Sequence, residues 1–169
     1  MCSRPKDPAM SDTEKNIFDL EDLDSQEHPH LNAFVTLPVY DVTVEFLQQG
    51  SPKPHVVFHV NSDRPITAAD DNGNVIQIKG CLLSMDYAGV QNEGIFLIKL
   101  LTYHGPSFAA SAAFQFPLRT NRSTILDWIN IFRGQHPRLP VGYGHDMTDF
   151  DFTLPNPPDP YFDGCRDFV

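Results

Sequence analysis

Basic residues are scarce. Twelve Lys and Arg stand against 22 Asp and Glu in 169 residues, a formal net charge of −10. A field of that sign repels phosphate backbones and anionic lipid surfaces, so non-specific nucleic-acid binding is excluded. Arg119, Arg122, Arg133 and Arg138 lie close together in sequence but are too few for a basic patch. Cysteine is scarcer still. Cys2, Cys81 and Cys165 form an odd, widely spaced set without a C-x-x-C pair, which rules out a disulfide framework and gives no zinc signature. No apolar run approaches the roughly 20 residues a bilayer span requires. The opening MCSRPKDPAMSDTEKN is polar where a secretory signal would be apolar. These absences predict a cytoplasmic protein of a reducing compartment, with no membrane span, no nucleic-acid partner, no cofactor and no metal.

Phenylalanine, by contrast, is plentiful. Thirteen rings and a hydrophobic content of 41% suffice for one domain with a real core. Residues 1–33 are rich in Asp, Glu, Ser, Pro and Lys. They predict a disordered or loosely docked acidic arm, with one weak amphipathic patch at Ile17, Phe18, Leu20 and Leu23. The folded domain is expected over 34–169. Residues 39–47 alternate, with Tyr40, Val42, Val44 and Phe46 on one face and Asp41, Thr43 and Glu45 on the other, as in a half-buried strand. Further strands are expected over 55–60, 74–79, 81–85, 94–103, 109–116 and 149–154. One helix is expected over 123–133. Thr124 and Asp127 have capping-box spacing there, and Ile125, Trp128, Ile129 and Phe132 recur at helical intervals. The sum is an α+β domain, an antiparallel-rich sheet with one main covering helix.

Among candidate chemical groups, His55 and His59 lie four apart, but on a strand that is about 13 Å, too far for one metal ion. The C-terminal YFDGCRDFV places Cys165 after a glycine, where a helix start would lower a thiol pKa. His55 opens a strand and can serve as its base. Gln77, on the next strand, can orient the imidazole if the strands pair. The segments His55-Val-Val-Phe58, Asn72-Gly-Asn-Val-Ile-Gln77 and Gly164-Cys-Arg-Asp-Phe168 resemble the motifs of circularly permuted papain-like, lecithin:retinol acyltransferase-like proteins. The helix over 124–133 and the later Gly-Cys-Arg are also similar to small fungal proteins of unknown function. The papain-like resemblance implies a thiol-dependent hydrolase or acyltransferase with Cys165 as nucleophile, His55 as base and Gln77 as orienting residue. The first motif lacks its tryptophan, and glutamine replaces the orienting histidine. Only Arg166 to Val169 follow Cys165, too few residues to nucleate a helix. An inactive descendant is therefore a second expectation.

Two other readings stay open. One is a non-catalytic binding or interaction module with a small apolar ligand or a protein partner. The other is a small-molecule isomerase or cyclase. In it Tyr103, His104 and Phe114, with Phe108 and Phe116, line an apolar pocket, and His145 and Asp146 of a glycine-rich loop do acid–base work.

Overall fold

A computed structural model describes residues 16–47, 55–69, 74–87, 94–118 and 123–135. The chain forms β1 (Ile17–Phe18), α1 (Leu20–Ser25), α2 (Pro29–Val35), β2 (Val39–Leu47), β3 (His55–Ala69), β4 (Val75–Tyr87), β5 (Gly94–Leu101), β6 (Ala110–Pro117) and α3 (Ile125–Phe132). The six strands make one antiparallel sheet in the order β1-β5-β4-β3-β2-β6. The architecture is therefore mainly β with short helices, rather than the expected α+β.

Strands β2 to β5 follow one another as a meander, as their alternating apolar residues dictate. Val42, Val60, Cys81, Leu83, Ile98 and Leu100 project to one face, where Leu31, Phe34, Ile125, Ile129 and Phe132 of the helices cover them. Phe132 packs edge-on against Phe58 with ring centroids 4.9 Å apart. Cys81 is a core residue as its neighbours suggest; burial pushes its thiol far above the ordinary range. The arm expected over 1–33 is not loose where it is described. β1 adds to β5, and Phe18, Leu23 and Leu31 enter the core. An amphipathic patch too short to fold alone gains its stability from tertiary packing.

Helix α3 starts as its sequence predicts. Thr124 accepts a hydrogen bond from the Asp127 amide, and Asp127 accepts one from the Thr124 amide, a reciprocal capping box. The same end is tied to the sheet, because Ile125 N–H donates to the Leu37 carbonyl and Val39 N–H to that of Ser123. Thr124→Ala should therefore cost about 1 kcal/mol, read as a lowered denaturant midpoint with unchanged slope.

The connection from β5 to β6 shapes the other face. β5 and β6 are separated by β4, β3 and β2, four inter-strand steps or roughly 19 Å. Residues 102–109 must therefore cross the face opposite the helices. They lie over it as a strap.

Candidate functional site

A strap laid on a sheet brings backbone N–H groups that the sheet ladder cannot satisfy. Side chains of β2 and β3 supply the acceptors. Glu45 Oε1 accepts from Ser107 N–H at 3.0 Å and from His59 Nδ1–H at 2.7 Å. Asn61 Oδ1 accepts from Gly105 N–H at 3.1 Å. Asn61 Nδ2 donates to Asp41 Oδ1 at 2.5 Å, and Gln115 Nε2 donates to Asp41 Oδ2 at 2.6 Å. Asp41, Thr43, Glu45, His59 and Asn61 are all buried. The acidic side of β2 expected to meet solvent is thus the floor beneath the strap.

The Glu45–His59 pair is fully enclosed. Burial raises a carboxyl pKa, but here the hydrogen bonds from His59 and Ser107 outweigh it and hold Glu45 below its ordinary value. Because Nδ1 donates to the carboxylate, the second ring nitrogen is Nε2. Nε2 and Glu45 Oε2 are buried with no hydrogen-bond partner among the described residues. The ring fits only because its neighbours have no side chains. A Cβ on Gly105 would sit 2.4 Å from His59 Nδ1, and one on Gly80 would sit 2.9 Å from the Val60 carbonyl oxygen and 3.2 Å from His59 Nε2. Tyr103 meets the imidazole edge-on at 5.7 Å.

Beside this enclosed pair the sheet opens. The β2–β3 register passes from Val39↔Ser62 to Asp41↔Asn61, so Tyr40 is an inserted residue. Tyr40 leaves the apolar stripe assigned to it by alternation and is exposed. The β3–β4 register passes from Asn61↔Gly80 to Ile66↔Ile78, so four residues, 62–65, stand opposite Lys79 alone. The Ser62 hydroxyl lies 2.8 Å from both the Arg64 and Lys79 carbonyls and holds this second bulge. Where the two bulges meet the strap there is a cleft of about 360 Å³, lined by Tyr40, Asp41, Asn61, Ser62, Asp63, His104, Gly105 and Gln115. Among the described residues its wall has two carboxylates, two amides, an imidazole and a phenol, and no Lys or Arg.

The residues singled out in the sequence are scattered. His55 opens β3 opposite Leu47 and is half-buried. Gln77 stands opposite Thr67 and donates to its hydroxyl at 2.9 Å. The strands pair as supposed, but twelve residues of β3, about 40 Å along the strand, separate His55 from that position. The register does not bring Gln77 to His55. His104 lines the cleft, whereas Tyr103 packs on His59 and Phe114 lies exposed on edge strand β6. These three do not share one apolar pocket. Cys165, His145, Asp146 and the strand expected over 149–154 lie outside the described residues. Among the described residues, no group of three or more His, Cys, Asp and Glu is placed to hold a metal ion, and no helix is long and apolar enough to cross a membrane.

The cleft had one legible signal. In a β2–β3 hairpin, Asp41-x-Thr43-x-Glu45 falls beside His59-x-Asn61, a polar stripe on each strand with matching hydrogen-bonding partners. Comparison with known proteins gives no matching family model, no curated relative and no solved structure of similar fold.

Proposed function

We propose that the protein is a non-catalytic binding module whose ligand is a small polar molecule rich in N–H or O–H donors, such as an organic ammonium or guanidinium compound. The observation that supports this reading is the buried Asp41 carboxylate at the floor of a polar cleft, with the Asn61 and Gln115 amides fixed on either side of it. Amides held in place by a carboxylate lose little freedom on binding, which favours recognition. Asp63 and the Tyr40 phenol add a second negative charge and an aromatic face to the rim, features suited to a cation. The cleft volume lies within the range of small-ligand sites.

The geometry favours binding over chemistry. The Ser62 hydroxyl is occupied by backbone carbonyls, and the Glu45–His59 pair is sealed from the cleft's solvent. The thiol-hydrolase reading needs His55 and Gln77 together, and the β3–β4 register argues against it.

The test is a proton–nitrogen correlation NMR titration of the full chain with a panel of small amines, guanidines and polyols. Members that bind should shift the side-chain amides of Asn61 and Gln115 and the backbone of Gly105. Asp41→Asn, which keeps an acceptor for one amide, should weaken that binding at least about tenfold, a loss of roughly 1.4 kcal/mol. Silence across the panel, or shifts confined to the β5–β1 side of the sheet, would sink the proposal.

A further inference from the structure

Among the described residues the sheet ends at β6, a strand with a bulge at Ser111 and Pro117 at its end but no charged side chain between them. Natural edge strands carry charges, above all lysine, to discourage pairing with another chain. Residues 100–118 contain no Asp, Glu, Lys or Arg, although the whole chain carries a net charge of −10. On the helix-side face of β6, Phe114 and Phe116 stand opposite Val44 and Val42. The helices do not reach this far, and the two rings are 57% and 54% exposed. Phe114 is held upright by an edge-to-face contact with Phe46 at 6.0 Å.

From these features we infer that β6 is a self-association edge, at which a second copy of this chain adds its own β6 antiparallel to the first and continues the sheet across a two-fold axis. The charge distribution selects a second copy over a foreign partner. A basic partner would seek the acidic surface elsewhere on the molecule and gain nothing from an uncharged edge. Two copies carrying the same negative charge can approach only where that charge is absent, and this edge is such a place. The exposed parts of Phe114 and Phe116 amount to about one whole ring, on the order of 200 Å² per copy. Two copies would remove about 400 Å² of aromatic surface, a third of the roughly 1,200 Å² at which stable interfaces begin, before the paired strand backbones are counted. In a two-fold pairing centred on Phe114, the two Phe114 rings meet and Phe116 falls over Ala112 of the other copy, large beside small. Gln115 alternates with these rings and points to the opposite face, so pairing leaves the Asp41 cleft open.

Sedimentation equilibrium of the full chain over about 1–100 µM tests this. The mass should rise with concentration from 19.0 kDa toward twice that value. Phe114→Asp and Phe116→Asp, both at exposed sites, should each raise the dimer Kd at least about tenfold while the melting temperature at low concentration stays unchanged. Val75→Asp, which alters an exposed apolar residue at the start of β4, should leave the dimer intact. A chain that stays monomeric throughout overturns the inference, and so does monomer in which the β6 amides are protected from hydrogen exchange. A dimer indifferent to both phenylalanine substitutions, or lost equally in Val75→Asp, also overturns it.

Discussion

Gly105→Ala should lower the stability of the fold by about 3 kcal/mol, the upper part of the range for overpacking a close-fitted interior. The added methyl group would lie 2.4–2.8 Å from three atoms of the His59 ring. The ring cannot retreat, because Gly80 of β4 and Tyr103 bound it and Glu45 holds its Nδ1. The strap must lift instead, and lifting it breaks the bonds from Gly105 to Asn61 and from Ser107 to Glu45. The melting temperature should fall by roughly 10 °C at this chain length. His59→Ala made together with Gly105→Ala should recover part of the loss, since the smaller side chain frees the space the methyl group needs. If Gly105→Ala melts within a degree or two of the parent, the close packing of strap on imidazole is wrong.

Glu45→Leu should be as damaging, about 3–5 kcal/mol, for an electrostatic reason. It leaves the His59 Nδ1–H and the Ser107 N–H buried without an acceptor, and each unsatisfied donor bears the cost of its lost hydration. Glu45→Gln is the more informative change because it retains an oxygen and removes only the charge. The Glu45 pKa is lowered from its ordinary value of 4.5, so folding favours the ionised carboxylate. For a depressed carboxyl the contribution is complete above the unfolded value and disappears as pH falls through the lower folded value. The parent should therefore be more stable than Glu45→Gln near neutrality, and the gap should narrow progressively below pH 4.5. Denaturant titrations of both proteins from pH 7 downward measure it. A gap independent of pH would mean that the carboxylate is not the form that anchors the strap.

Much of the sheet is written in local pattern. The alternation of residues 39–47, the apolar run after Gly94 and the Thr124–Asp127 cap each specify an element without reference to the rest of the chain. The register between β3 and β4 was not legible, for the converse reason. Pairing of β3 with β4 was legible, but which residues oppose one another depends on how far β3 runs beyond residue 60 and on a net three inserted residues in it, neither of which periodicity reveals. Together they set Gln77 opposite Thr67, far along the strand from His55. The polar floor was misread because Asp41, Thr43 and Glu45 alternate as solvent-facing residues do. Only the crossing of residues 102–109 makes that face an interior. The N-terminal elements escaped notice because two residues of β1 and six of α1 carry too little pattern to be distinguished from a polar tail.

The chain order of the strands has a kinetic consequence. Hairpin contacts among β2, β3, β4 and β5 are close in sequence and can form early. Joining Val44 to Phe114 closes a loop of about 70 residues and joining Phe18 to Ile98 one of about 80, so both edge strands, β6 and β1, dock late in folding and at high entropic cost. A strand that arrives late is also free to leave early. A partial opening that releases only Ser107 and Gly105 would peel β6 away, and with it the edge of β2 and the Asp41 carboxylate would meet water while the meander stayed folded.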